Sequence, residues 1–128
     1  SDLTRTLYVG NPTKKEIEDY NLVLDSQLKA INLIKINNKV AEVDKIIRNS
    51  LGKRFLHSLG HGIGLRIHEA PSISSKSEER FKENMVFTIE PGIYDNNYGI
   101  RIEDDILLNK NNIKILTKTT KELIRIWT

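Results

Sequence analysis

Met85-Val-Phe-Thr-Ile-Glu-Pro-Gly92 is an apolar, β-rich run that stops on an acid and a Pro-Gly pair. The run reads as a strand over Met85–Ile89, bounded by a turn. Proline pushes the residue before it toward extended geometry, so Glu90 is held at the strand end and points into whatever the sheet encloses. After a turn at Asp95-Asn96-Asn97, Gly99 to Leu108 reads as a returning strand. Ile100, Ile102 and Ile106 share one face of it, and Arg101, Glu103 and Asp105 share the other. A lone Glu in a turn is more often a solvated acid. Two of them across a short hairpin, with a guanidinium, can equally line a cleft. Lys110-Asn111-Asn112 marks a further turn, Ile113–Leu116 a last strand, and Lys121–Trp127 a short closing segment.

Upstream, Phe55–Leu59 reads as a short strand leading into Gly60-His-Gly-Ile-Gly64, and Leu65–Ile67 as another. Pro71 to about Asn84 reads as polar loop. Glycines around His61 permit tight bends and close approach of a ligand. His57, His61 and His68, all the histidines of the chain, fall within twelve residues, which an incidental His in a turn does not explain. The zinc-protease helix motif is absent, because His68-Glu69 is followed by Ala70, Pro71 and Ser72; a single-zinc protease of that type is excluded. Nearer the start, Leu3–Val9 alternates and ends at Gly10-Asn11-Pro12. Thr13 and Glu16 form a capping box, opening a helix to about Lys35 with Ile17, Tyr20, Leu24, Leu28, Ile31 and Ile34 on its buried face. Asn37-Asn38 breaks it. Val40, Val43, Ile46, Ile47 and Leu51 mark a second helix, stopped by Gly52. Helices first and antiparallel strands later predict an α+β domain, a curved sheet backed by helices.

The chain of 128 residues suffices for one domain, and 38% hydrophobic with 29% charged residues is an ordinary globular balance. It has no cysteine, so neither a disulfide framework nor a thiolate site is available, and a reducing, cytoplasmic setting is expected. No run is apolar enough to span a bilayer, and no signal peptide is visible. A net charge of +3, spread lysines and 6% aromatic residues give no support for nucleic-acid binding. The chain starts without Met and places a candidate ligand at position 2, which implies a piece of a longer protein, cut just before or inside a strand.

Asp2, His61, Glu90 and Glu103 stand in four separate segments. Three carboxylates and an imidazole form a hard, oxygen-rich donor set suited to Mn, Co or Zn, and cations are among the few things that offset burial of unpaired carboxylates. Arg5 lies on the opposite strand face from Asp2 and is expected to be a structural ion-pair partner. Asp104 and Asp105 are expected to be ordinary acids, paired with Arg101 or a lysine.

Four segments in order, Ser1-Asp-Leu-Thr-Arg-Thr6, His57 through Pro71, Met85 through Tyr94, and Gly99-Ile-Arg-Ile-Glu-Asp-Asp105, resemble the Xaa-Pro peptidases, the prolidase and aminopeptidase P branch of the pita-bread metallopeptidases. The resemblance implies two divalent metal ions, Mn or Co first with Zn or Fe as alternatives, held by two Asp, one His and two Glu. Asp2 would be the second Asp and bridge the ions. His61 and Glu90 would bind one ion, and Glu103 would bridge both. Glu90 would also shuttle a proton from water to the prolyl nitrogen. His57 and His68 would steady the substrate and the developing oxyanion, and Arg101 would lie at the substrate end. A proline-containing peptide substrate and a homodimer are implied as well. The family's first Asp precedes Asp2 by about one strand length, so residues 1–128 are expected to be the C-terminal portion of the catalytic domain. Alone, they are expected to be weakly active or inactive. Asn37-Asn38 replaces the Pro-Gly usual in relatives, which affects a turn only. The rival readings are a methionine aminopeptidase-like enzyme, a metal-free creatinase relative, and a non-catalytic peptidase-like binding domain.

Overall fold

The computed structural model describes residues 1–127. Strand β1 (Leu7–Val9) turns through Gly10, at φ +91°, into helix α1 (Lys14–Leu33). The capping box forms: the Glu16 amide donates to the Thr13 hydroxyl, and the Thr13 amide donates back to the Glu16 carboxylate at 2.7 Å. The buried face of α1 is rotated from the expected one. Asp19, Tyr20, Val23, Ser26, Gln27, Ala30 and Ile31 are covered, while Leu24 is only partly buried and Leu28 is exposed. The polar members can be covered because they have partners across the fold: Asp19 pairs with Arg54, and Gln27 bonds Asp104.

Asn37, at φ +72°, makes the break before helix α2 (Val40–Leu51), and Gly52, at φ +66°, ends it and starts a short 3-10 turn, Gly52–Arg54. Then come β2 (Gly60–Gly62), β3 (Glu69–Ile73), β4 (Val86–Ile89), β5 (Gly92–Tyr94), β6 (Gly99–Arg101), β7 (Asp104–Leu108), β8 (Ile113–Ile115) and β9 (Ile124–Ile126). The main sheet is antiparallel in the order β3-β2-β4-β7-β8. The β5–β6 hairpin and the parallel β1–β9 ribbon stand beside it. Both helices pack on the strands, and Val23, Ile47, Leu59, Phe81, Phe87 and Ile106 form the fully buried centre.

Three strand expectations need correction. Residues 55–59 are not a strand: the Phe55 and His57 carbonyls accept from Arg48, at 3.0 and 2.7 Å, and only Leu59 makes backbone bonds to distant segments, with Ile73 and Glu90. Leu65–Ile67 is an exposed bend, and the strand lies further on, at Glu69–Ile73, where Ile73 pairs with Gly60 and reaches the core. The expected strand over 99–108 is two, broken at Ile102-Glu103. There the Ile102 amide turns to Pro91 O, and Glu103 bridges to Thr4. The break ends the alternation, so Glu103, Asp104 and Asp105 are all buried.

Candidate metal centre

His61 sits at the middle of β2, and its glycine neighbours are required by crowding. A Cβ on Gly60 would lie 2.0 Å from Thr88 O, and one on Gly62 would lie 2.1 Å from Ala70 O. The ring's Nδ1 lies 3.1 Å from the Gly62 carbonyl, which can only accept, so Nδ1 carries the proton. In the neutral ring Nε2 then turns its lone pair to Glu90 Oε1 at 3.3 Å and Asp2 Oδ2 at 3.7 Å. Acceptor facing acceptor is repulsive unless a proton or a cation lies between them.

The acids are held as firmly. The Asp2 amide donates to both Asp105 carboxylate oxygens, at 3.2 and 3.1 Å, which pins a segment so near the chain's first residue. Glu103 is 3% exposed; its carboxylate accepts from the Thr4 hydroxyl, and its amide donates to Thr4 O at 3.1 Å. One potential ligand atom from each of Asp2, His61 and Glu103 lies within 4.8 Å of the others. Glu90 stands beside this triplet, against His61. The Thr88 hydroxyl accepts from the His61 amide at 3.0 Å and donates to Glu90 at 3.1 Å, so one side chain sets both groups. Burial, reinforced by the nearby Glu103 charge, pushes the Glu90 carboxyl up to about 7. Burial also raises Glu103, although the Thr4 hydroxyl opposes it, and raises Asp105. Buried acids raised together, with an imidazole lone pair aimed among them, are a donor set a divalent cation would satisfy.

His61 and Glu90 open onto a cleft of about 680 Å³ that His57, His68 and Arg101 also line. His68 is exposed, its ring edge-on to His61 with centroids 4.2 Å apart. His57 Nδ1 faces Ser58 O at 2.8 Å and is therefore the protonated nitrogen; Nε2 accepts from the Tyr94 hydroxyl at 2.8 Å. Burial lowers its pKa, so in this arrangement His57 offers no proton to the cleft. The Arg101 Nε donates to Thr4 Oγ1 at 3.1 Å. Arg5 is an ion-pair partner, to Asp104 at 2.7 Å. Asp104 is no surface acid: it is fully buried and also accepts from Gln27, Thr117 and Lys121. Asp105 takes the Asp2 amide as its partner instead of Arg101 or a lysine.

Sequence reasoning did not single out Thr4, Thr88 or Tyr94. For two of them a signal existed. Thr4 follows Asp2 by two residues and Thr88 precedes Glu90 by two, the spacing that puts strand residues on one face.

A pita-bread sheet carrying these acids and a histidine is the architecture of a metal-dependent peptidase. The chain belongs to metallopeptidase family M24, whose profile matches residues 1–110. It is 49% identical over 130 residues to the Xaa-Pro dipeptidase of Pyrococcus horikoshii, covering 97% of this chain and 37% of that protein. Among solved structures it matches an Xaa-Pro dipeptidase from Bacillus anthracis with a TM-score of 0.93 at 44% identity, covering 98% of this chain and 37% of that one. An X-Pro aminopeptidase from Thermotoga maritima superposes with a TM-score of 0.92 at 37% identity, covering 98% and 38%. The chain thus spans little more than a third of the length of the relatives it matches.

Proposed function

We propose that these residues form most of the active site of an enzyme that hydrolyses the peptide bond before proline, and that dipeptides are its main substrates. The observation that carries this is the convergence of Asp2, His61 and Glu103 within 4.8 Å of one another, with Glu90 against His61. The dipeptide preference rests on the Xaa-Pro dipeptidases at 49% and 44% identity, against 37% for the X-Pro aminopeptidase.

In this reading Asp2, His61, Glu90 and Glu103 would be protein ligands of a two-ion centre, Mn or Co before Zn or Fe. When bound, such ions supply Lewis acidity toward a water and toward the scissile carbonyl. Glu90 carries the proton of the attacking water to the prolyl nitrogen, a task favoured by its place at the cleft wall and by a hydroxyl, Thr88, that fixes one of its oxygens. His68, exposed on the cleft, hydrogen-bonds the substrate. His57 acts on it through the Tyr94 hydroxyl to which it is bonded. Arg101 faces the substrate's carboxylate end. The working form is a homodimer of a longer polypeptide, and the 128 residues alone hydrolyse weakly or not at all.

The test is an assay of the enzyme on Xaa-Pro dipeptides, longer Xaa-Pro peptides and Met-peptides, with and without chelator. Hydrolysis of the dipeptides should disappear in chelator and return with Mn²⁺ or Co²⁺. Full activity after exhaustive chelation, or a preference for Met-peptides, contradicts the proposal.

A further inference from the structure

Behind the carboxylates lies a buried polar layer that the hydrolysis scheme does not use. Gln27, on the inner face of α1, is 0% exposed. Its Nε2 lies 2.8 Å from Asp104 Oδ2 and 3.4 Å from each of the carbonyls of Ile89 and Ile102. Its Oε1 accepts from Lys121 Nζ at 2.8 Å. Ile89 and Ile102 immediately precede Glu90 and Glu103, the two glutamates of the centre. We propose that Gln27 is a positioning residue for the metal centre: from the helix behind the sheet, its amide ties together the two backbone segments that present Glu90 and Glu103.

The location gives the argument its force. β4 ends at Ile89, and the gap between β6 and β7 falls at Ile102-Glu103, so both glutamates stand where regular strand pairing stops. The backbone brackets them, with Ile89 paired to Asp104 and the Ile102 amide on Pro91 O at 3.3 Å, and the Gln27 amide adds a tie from the helix side to the carbonyl just before each glutamate. The same layer holds the third segment: Arg5 pairs with Asp104 and donates to Glu103 O at 2.7 Å and Thr4 O at 2.9 Å, two residues beyond Asp2. An amide on an inner helix face is costly to bury unless all its groups are bonded, and a side chain wanted only for packing would be apolar, as Val23, Ala30 and Ile31 beside it are. Metal centres need their ligands placed to about 0.5 Å, and losing an outer support typically costs about 10- to 100-fold in affinity.

The inference rests on the metal-site reading, so its test has two arms. Gln27→Met keeps the length and removes the hydrogen bonds. Asp19→Asn, in the Arg54–Lys15–Tyr98 cluster away from the cleft, is the control for a general loss of buried polar contacts. Crystal structures of both metal-free variants give the positions of the Glu90 and Glu103 carboxyls relative to His61, and calorimetry gives Co²⁺ affinity. In Gln27→Met the carboxyls should move by about 0.5 Å or more and the dissociation constant should rise about tenfold, with neither change in the control. Unmoved carboxyls, or an equal loss of affinity in Asp19→Asn, would overturn the inference. A wild-type protein that binds no Co²⁺ would refute the metal-site reading instead, and the crystallographic arm would still decide on Gln27. If Gln27→Met does not fold, Lys121→Met, which removes the donor to the amide oxygen together with an ion pair to Asp104, carries the same two measurements.

Discussion

Glu90 links the chemistry of the centre to the stability of the protein. Its carboxyl is raised above the ordinary 4.5 to about 7, first by burial and then by Glu103. Across that window the folded protein holds more protons than the unfolded chain, so its metal-free stability falls as the pH rises toward 7. Glu103 and Asp105 are raised as well and act in the same direction. Asp19 and Asp104 act oppositely. The Arg54 guanidinium holds Asp19 low, and at Asp104 burial pushes up but Arg5 and Lys121 outweigh it. Their contribution is present above the ordinary carboxylate range and is lost as the pH falls below it. Urea midpoints of the metal-free protein should therefore peak in mild acid and decline on both sides. Glu90→Gln should flatten the decline toward pH 7, and an unchanged slope would show that Glu90 is not the buried acid responsible. In the enzyme assay the same substitution should lower kcat by about 10²- to 10⁴-fold, the usual weight of a positioned proton carrier.

The helices act on the site through the loops they clamp. Asp44 is fully buried and holds Arg48, one turn along α2, with two 3.0 Å contacts. Arg48 in turn grips the carbonyls of Phe55 and His57. Arg48→Met would leave Asp44 with the Leu59 amide, at 3.1 Å, as a remaining partner, and with Arg48 itself 32% exposed the loss should be about 1.5 kcal/mol. It should also free the segment carrying His57, so amide exchange at residues 55–59 should rise more than elsewhere; a uniform rise would mean that the clamp is not local. This clamp also explains why residues 55–59 resembled a strand in the sequence without becoming one. Local chemistry was readable: the Thr13–Glu16 box, the turn at Asn37, the stop at Gly52 and the apolar run before Glu90 all mark their own positions. Features set by distant partners were not. Glu69–Ile73 contains a proline and no alternation, and becomes a strand because β2 pairs with it. Leu65 and Ile67 look like strand residues but lie exposed among the described residues. The α1 face was misplaced because Asp19 and Gln27 look like surface residues until Arg54 and Asp104 come into view. The four candidate ligands stood out by their local contexts, whereas the groups that hold them in place, Thr4 on Glu103 and Asp105 on Asp2, bond across about a hundred residues.

At the scale of the chain, the four proposed ligands come from its first residues, β2, the end of β4 and the gap before β7. A cation bound there would tie these four segments together. At a free Mn²⁺ or Co²⁺ concentration of 100 times the dissociation constant, linkage adds about 2.7 kcal/mol to the folded state. For a chain of this size that raises the melting temperature by roughly 10 °C. The gain should shrink in His61→Ala and be absent in a magnesium-free chelator buffer; an equal gain in the variant would place the binding elsewhere. No helix among the described residues is long and apolar enough to cross a membrane. The decisive measurement is anomalous diffraction at the Mn or Co edge from crystals grown with that ion. A peak is expected about 2.0–2.2 Å from His61 Nε2 and from carboxylate oxygens of Asp2, Glu90 and Glu103. Crystals that carry the ion only at other sites, or that show His61 and the three acids turned away from one another, would contradict it.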